Sequence, residues 1–278
     1  MSAATPIVLV IAGSDSGAGA GIQADLKTCM ALGAYATTAL TAVTAQNTQG
    51  VSAVHMVPPE VITAQIDAIA ADIGADAVKI GMLGDVPTIQ AVAAALRRWL
   101  PRLGNPPVVL DPVMVAKGGS TLLDPAAVAA LIDSVLPLAT VLTPNLPEAS
   151  ALLAREVSTI DHLPDAAREL GALGPAVLLK GGHLPGPELL DLLWDGRQLT
   201  RWSGIRRDTP HTHGTGCTYA AAVAAGLAAG MPLPAAVGRA HDYLAGAIAA
   251  AGPLGAGSGH SPVAHAYRLA APAQVSQV

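Results

Sequence analysis

The chain has 278 residues, of which 51% are hydrophobic and only 13% charged, so one sizeable core can form. The formal net charge of -5 leaves no broad basic surface, and a nucleic-acid partner is not expected. The longest apolar stretch, Ala220–Leu233, is shorter than the roughly 20 residues that a membrane helix needs. Met1–Val10 lacks the features of a signal peptide, and 2 Cys are too few for a disulfide scaffold. A cytoplasmic protein without a membrane partner is therefore predicted.

From the N-terminus onward, short apolar runs alternate with longer helix-like segments. The predicted strands are Ile7–Ala12, Thr37–Val43, Ala77–Ile80, Val108–Leu110, Thr140–Leu142, Ala176–Leu179 and Leu189–Trp194. The predicted helices are Gly21–Leu32, Pro59–Asp72, Val86–Trp99, Ala126–Leu136, Leu146–Ala154, Pro164–Leu173, Gly216–Ala229 and Pro234–Ala250. Most of the strands are apolar without alternation, which is typical of strands buried on both faces. The pattern predicts one domain over residues 1–278, with a doubly wound, mostly parallel α/β sheet flanked by helices and a hairpin at Leu189–Arg207.

The segment after the first strand, Gly13–Lys27, is a glycine-rich turn that leads into a helix. Such a turn presents backbone N–H groups to an anion or a polar ring. The run Gly19–Ala24 also fits the loose dinucleotide-binding pattern, which requires an acidic residue about 20 positions later. Because no Asp or Glu occurs between Asp25 and Glu60, a dehydrogenase of that type is disfavoured. A plain tight turn would explain the glycines but not the polar side chains among them.

Acidic residues follow two later strands, at the end of the sheet where ligands bind in open α/β folds. Asp111 follows Val108–Leu110 and could hold Mg²⁺ directly or through water, or it could simply cap a loop. Asn145 and Glu148 lie three positions apart at a helix start and could share one metal–phosphate assembly. The alternative is a helix cap in which Glu148 completes a capping box. Each site alone favours the structural interpretation, whereas the two together favour a metal site.

The most specific motif is His211–Thr218, which opens a predicted helix. Gly214 and Gly216 let the backbone approach a phosphoryl group, and the helix start donates N–H groups to it. With Thr215 they form a candidate oxyanion hole. The same helix dipole is predicted to lower the pKa of the Cys217 thiol. The alternative for Cys217 is a small residue that only fills buried space.

Two further features concern phosphate and metal binding. Lys180–His183 follows the strand Ala176–Leu179 and supplies a cation and a flexible turn where a nucleotide phosphate could lie. No Gly-x4-Gly-Lys-Ser/Thr P-loop occurs in the sequence, so phosphate binding would use another scaffold. The pair His211 and His213 suggests a metal only weakly, and the two residues are interpreted as incidental rather than as metal ligands.

Together these motifs resemble the ribokinase-like superfamily and, within it, the hydroxymethylpyrimidine/phosphomethylpyrimidine kinases. The resemblance extends from about Val8 to about Val263 and is carried by Gly13–Lys27, Ala45–Thr48, Lys79–Leu83, Asp111–Lys117, Thr143–Glu148, Lys180–His183 and Thr212–Cys217. It implies ATP-dependent phosphorylation of 4-amino-5-hydroxymethyl-2-methylpyrimidine and of its monophosphate in thiamine biosynthesis. It also implies Mg²⁺ as cofactor, a homodimer, and a ribokinase-like domain without a separate lid.

The resemblance implies a role for individual residues as well. The substrate-binding set is Gly13, Ala20, Asp25, Gln46, Met82 and Val113. Within it, Gln46 would pair with the aminopyrimidine edge and Asp25 would accept from the hydroxymethyl group. Asp111 and Glu148 would organise magnesium and phosphate, and the nucleotide-binding set is Asn145, Lys180, Gly182 and Thr212. Most of the superfamily has an Asp where this chain has Cys217, which makes Cys217 the candidate proton acceptor.

The sequence departs from the family pattern at two places and leaves two rival functions. Ala18 stands where the family usually has Gly, and the nucleobase pocket, expected near residues 244–262, carries no recognisable motif. Pyridoxal kinase is the rival within the superfamily, because both substrates are heteroaromatic rings with a hydroxymethyl group. Gln46 and Cys217 favour the pyrimidine. A non-catalytic pyrimidine or nucleotide sensor is the rival from another class, but it would not need two acids and a helix-start anion site.

Overall fold

The computed structural model describes residues 4–114, 123–255 and 257–269. Their strands are β1 (Ile7–Ser14), β2 (Tyr35–Gln46), β3 (Val51–Met56), β4 (Ala77–Ile80), β5 (Val108–Leu110), β6 (Val141–Leu142), β7 (Ala176–Leu179), β8 (Glu188–Trp194) and β9 (Leu199–Ile205). Their helices are α1 (Gly21–Ala31), α2 (Pro59–Asp72), α3 (Val86–Trp99), α4 (Pro125–Ser134), α5 (Leu146–Leu153), α6 (Leu163–Gly171), α7 (Thr215–Ala228) and α8 (Leu233–Ala249).

All nine strands form one sheet in the order β3-β2-β1-β4-β5-β6-β7-β8-β9. The six central strands, β2-β1-β4-β5-β6-β7 in sheet order, pair in parallel. At one edge β3 pairs antiparallel with β2, and at the other edge β8 pairs antiparallel with β7 and β9 with β8. This arrangement confirms the predicted mostly parallel, doubly wound sheet. Helices cover both faces, with α2 to α6 on one side and α1, α7 and α8 on the other. Among the described helices, none is long and apolar enough to cross a lipid bilayer.

Burial explains which elements the sequence predicts well. The strands β4, β5 and β7 and the helices α2 and α3 have the predicted bounds, and the other predicted elements differ by a few residues at their ends. Strand β3 was not predicted, because four of its six residues are exposed at the edge of the sheet and no buried apolar pattern marks it. The predicted hairpin at Leu189–Arg207 is formed by β8 and β9. The last residues of the motif Asp111–Lys117, from 115 onward, lie outside the described residues.

Candidate active site

A cavity of about 1070 Å³ opens beyond the carboxyl ends of the parallel strands, where open α/β sheets bind ligands. With the exception of Asp25, every predicted site residue lines it. The set consists of Gly13, Ala20, Gln46, Met82, Asp111, Val113, Asn145, Glu148, Lys180, Gly182, Thr212, Gly214, Thr215, Gly216 and Cys217. Residues from seven separate loops therefore meet at one end of the sheet, because parallel strands bring their carboxyl ends to one edge.

Asp25 lies behind this wall rather than in it. Its side chain is fully buried, and one carboxylate oxygen, Oδ2, accepts a hydrogen bond of 2.9 Å from Lys79 Nζ. Burial raises the pKa of Asp25 to about 6, although the Lys79 charge opposes the shift. This geometry therefore disfavours a direct contact between Asp25 and the substrate hydroxymethyl group. The cavity is lined by Lys79 instead, which the sequence analysis assigned no role. A lysine inside the four-residue buried strand β4 is the signal that could have identified it.

The two predicted metal-site acids are buried beside Lys180. Lys180 Nζ donates a hydrogen bond of 2.8 Å to Asp111 Oδ1, and Thr143 Oγ1 donates to the same oxygen at 3.2 Å. Burial alone would raise the pKa of Asp111, but the ammonium groups of Lys180 and Lys79 lower it, so this carboxylate is ionised. Burial raises the pKa of Glu148 to about 7 despite the Lys180 charge.

The capping interpretation of Asn145 and Glu148 is confirmed, and both residues also line the cavity. Asn145 Oδ1 accepts from the Glu148 backbone N–H at 2.9 Å, and Glu148 Oε2 accepts from the Asn145 backbone N–H at 2.8 Å. This reciprocal pair begins α5 and holds both side chains at the cavity wall. A structural role and a ligand-binding role are therefore compatible at this position.

The start of α7 meets the first glycine-rich loop. Gly214 precedes the helix with φ of 81°, and a Cβ atom there would lie 1.9 Å from the Gly19 carbonyl oxygen, so only glycine fits. Cys217 in the first turn differs from the prediction. Burial raises the pKa of its thiol to about 11, although Lys79 opposes the shift, so the expected lowering by the helix dipole is wrong. At this half-buried position in the cavity wall, desolvation of the thiolate outweighs the favourable field of the helix start.

His213 connects three parts of the cavity wall, which the sequence analysis did not foresee. Because a carboxylate only accepts hydrogen bonds, His213 Nε2 donates to Asp15 Oδ2 at 2.9 Å. The same Oδ2 atom accepts from the backbone N–H groups of Gly19 at 3.0 Å and Ala20 at 2.8 Å. His213 Nε2 also lies 3.3 Å from the side-chain nitrogen of Gln46. His213 therefore holds the first glycine-rich loop through Asp15 and lies beside the Gln46 side chain.

The far end of the cavity is lined by α8 and β8. The lining residues there include the apolar side chains of Leu244, Ala245 and Ile248 in α8 and Leu189 in β8, together with the polar side chains of Asp191, Tyr219 and His241. Leu244 and Ile248 fall within the segment where a nucleobase pocket was expected. An apolar slot with a few polar groups suits a flat heteroaromatic ring.

The alanine at position 18, where the family usually has glycine, should lower the stability of the folded protein measurably. Ala18 adopts a left-handed φ of 60°, in which its Cβ atom is strained. We expect Ala18→Gly to stabilise the protein by about 0.5–1 kcal/mol, because relief of this strain exceeds the entropy that glycine adds to the unfolded chain. Denaturant unfolding measures the change. The matched control is Ala172→Gly at an exposed position with φ of -65°, which should destabilise; equal effects of the two substitutions would contradict the strain at Ala18.

The geometry and the comparisons together place the chain in a class and then in a family. Phosphate binding without a P-loop, from a helix start and buried charges on a doubly wound sheet, is the arrangement of ribokinase-like kinases. A family described as phosphomethylpyrimidine kinase matches residues 15–264. The chain belongs to this family and is a phosphotransferase.

Two curated relatives show how much of the chain is shared. It is 52% identical over 268 residues to the hydroxymethylpyrimidine/phosphomethylpyrimidine kinase of Rhizobium meliloti, which covers 95% of this chain and 98% of that protein. It is 51% identical over 259 residues to the thiamine biosynthesis bifunctional protein ThiED of Geobacter sulfurreducens, with 93% of this chain covered. The chain spans only 52% of the length of that bifunctional relative.

Two solved structures confirm the ribokinase-like fold. The ADP complex of Bacillus subtilis pyridoxal kinase is 40% identical and superimposes with a TM-score of 0.87, covering 96% of this chain and all of that one. Phosphomethylpyrimidine kinase from Clostridium difficile 630 is 39% identical with a TM-score of 0.75, covering 86% of this chain and 97% of that one. Fold similarity alone therefore does not separate the two kinase activities.

Proposed function

We propose that this chain transfers the γ-phosphoryl group of ATP to the hydroxymethyl oxygen of 4-amino-5-hydroxymethyl-2-methylpyrimidine, and then phosphorylates the monophosphate, in thiamine biosynthesis. One observation carries the proposal: the Gln46 amide, the start of α7 and the Lys180–Asp111 pair line a single cavity. Relatives that share about half of the residues of this chain are named for this activity. A homodimer and a cytoplasmic location are further parts of the proposal, carried over from the family resemblance.

The proposed reaction is a direct in-line attack, in which the protein positions the reactants and neutralises charge. The start of α7 lines the cavity, and its backbone N–H groups would stabilise the charge that develops on the transferred phosphoryl group. Lys180 supplies a buried positive charge on the nucleotide side, and its pKa is raised by Asp111 and Glu148 although burial opposes this. Cys217 lies in the first turn of the same helix and is the candidate acceptor of the hydroxymethyl proton.

The residues present fit a magnesium ion that arrives with the nucleotide. Asp111 and Glu148 supply two carboxylates, and Mg²⁺ is commonly held by one or two carboxylates together with substrate phosphates and water. Among the described residues, no group of three or more His, Cys, Asp and Glu side chains lies close enough together to hold a metal ion. The bound ion would neutralise charge on the phosphates.

Pyridoxal phosphorylation is the second candidate, favoured by the similarity to Bacillus subtilis pyridoxal kinase. Gln46 weighs against it as the main activity. Its side-chain amide offers one donor and one acceptor, which match the edge of an aminopyrimidine. Thr44 Oγ1 lies 3.4 Å from one end of this amide and His213 Nε2 lies 3.3 Å from the other, so the amide sits between these two side chains at the cavity wall.

The experiment that tests the proposal is an ATP-consumption assay with four acceptors: hydroxymethylpyrimidine, its monophosphate, pyridoxal and ribose. We expect the two pyrimidines to be preferred, and Gln46→Ala to weaken pyrimidine binding by about 1–3 kcal/mol because ring polar groups lose their partner. Calorimetry measures the binding, with Gln90→Ala on the exposed face of α3 as the matched control. A preference for pyridoxal would favour the second candidate, and no turnover of any acceptor would favour a sensor. Unchanged pyrimidine affinity would remove Gln46 from the site.

A further inference from the structure

The side chain of Arg206 holds one loop of the cavity wall in place. Its guanidinium donates three hydrogen bonds to carbonyl oxygens of the loop between β7 and β8. Nη1 donates to Gly182 at 2.8 Å, Nη2 to Leu184 at 2.5 Å and Nε to Gly186 at 3.0 Å. The Arg206 backbone N–H donates to the Pro187 carbonyl at 2.7 Å. Arg206 sits just after β9, so its contacts fix the β7–β8 loop to the far edge of the sheet.

The same contacts determine where the N–H groups of the loop point. In a planar trans peptide, the carbonyl and the following N–H group point in opposite directions. Pro185 and Pro187 follow two of the three bound carbonyls and have no N–H group. The third bound carbonyl, that of Gly182, is followed by the N–H group of His183, and this N–H group therefore points away from Arg206. In the described part of the chain, the N–H groups of Gly182 and His183 donate to no protein acceptor, and both residues line the cavity.

The charge around this loop suits an anion. Lys180 precedes the loop and lines the cavity together with Arg206 and Arg207. His183 in the loop has a lowered pKa, first through partial desolvation by the protein around it and then because of the charges of Lys180 and Arg206. Backbone N–H groups without a protein partner, next to buried positive charge, are the usual components of a phosphate-binding loop.

We propose that Arg206 is a positioning residue that shapes the β7–β8 loop for the phosphate groups of the nucleotide. This inference rests on the proposed function, because it assumes that the nucleotide phosphates lie near Lys180. The three carbonyls need a planar group with several donors spread over different directions. Arginine supplies such a fork, whereas the ammonium group of lysine is a single point of charge. Lysine at this position should therefore keep the charge but lose the shape of the loop.

The test compares Arg206→Ala and Arg206→Lys with the wild-type protein. We expect both variants to bind ATP and ADP at least about tenfold more weakly by calorimetry, a change equivalent to about 1.4 kcal/mol. Binding of adenosine, which has no phosphate, should stay within about twofold, as should the KM for the pyrimidine. Amide hydrogen exchange in the β7–β8 loop should be faster in both variants. The matched control is Arg201→Ala, an exposed arginine on β9, which should behave as wild type.

The outcomes separate this inference from its alternatives. Recovery of ADP affinity by Arg206→Lys would show that Arg206 acts only through its charge and would overturn the positioning role. Equal losses of ADP and adenosine binding, or no loss in either variant, would also overturn it. Thermal unfolding checks both folds, and Arg206→Lys decides the question if Arg206→Ala does not fold. ADP binding does not depend on which acceptor is phosphorylated, so failure of the pyrimidine assay would leave this measurement interpretable.

Discussion

Turnover is expected to fall to background when divalent cations are chelated, and Glu148→Gln is expected to raise the Mg²⁺ concentration needed for half-maximal rate by about 10–100-fold. In the proposed complex the phosphates of the nucleotide lie near two buried acids, Asp111 and Glu148, and the Asp111 carboxylate is already paired with Lys180. Removing the charge of Glu148 leaves the metal with fewer negative partners. A glutamine keeps the capping oxygen that accepts from Asn145, so α5 should begin as before.

Steady-state rates across a magnesium titration measure this effect. The matched control is Glu156→Gln, an exposed glutamate in the loop after α5, whose magnesium dependence should equal that of the wild type. Pyrimidine binding by Glu148→Gln should also stay close to that of the wild type, because the substrate ring is proposed to bind near Gln46. Full turnover in metal-free buffer would contradict the phosphoryl-transfer proposal itself, whereas an unchanged magnesium requirement in Glu148→Gln would remove only this residue from the metal site.

The sheet could be predicted from the sequence because its central strands are buried on both faces. In β1, β4, β5 and β7, burial by two helical layers requires apolar residues, and turns or helices follow each strand. Strand β3 is followed by a helix but is not buried on both faces. It lies at an edge, with residues such as Ser52 and His55 exposed, and its pairing with β2 depends on a contact that no local pattern encodes.

The site could be predicted as far as it depends on chain position, and no further. Glycines and acids that follow buried strands must meet at the carboxyl edge of the sheet, so the motifs around Gln46, Asp111 and Cys217 converge as expected. Depth is different. Whether Asp25 faces the cavity or a buried Lys79 depends on how α1 packs against β4, and that packing is a tertiary property. The same holds for His213, whose partner Asp15 is 198 positions away.

Cys217→Ser is expected to lower the turnover rate by roughly 10²–10⁴-fold, the usual worth of a general base, with little change in pyrimidine or ATP affinity. The raised thiol pKa of about 11 adds a pH dependence to this expectation. A raised pKa means that the thiolate is the minor form at neutral pH and grows about tenfold per pH unit below 11. The wild-type rate should therefore keep rising with pH above 7, relative to the rate of Cys217→Ser, because the serine hydroxyl does not ionise in this range and ionisation of Glu148, whose pKa is raised to about 7, is common to both proteins.

Two further variants make this result specific to proton transfer. Cys217→Asp introduces a carboxylate that is ionised at neutral pH, so it should recover part of the lost rate and show no rise with pH. Cys29→Ala removes the other thiol, which lies in the core, and should keep the wild-type pH profile. The backbone N–H groups of Gly214–Cys217 are retained in Cys217→Ser, so its residual rate measures catalysis without a side-chain base at this position. If Cys217→Ser turns over at the wild-type rate from pH 6 to 9, the thiol only fills space, and those N–H groups carry the reaction without a side-chain base.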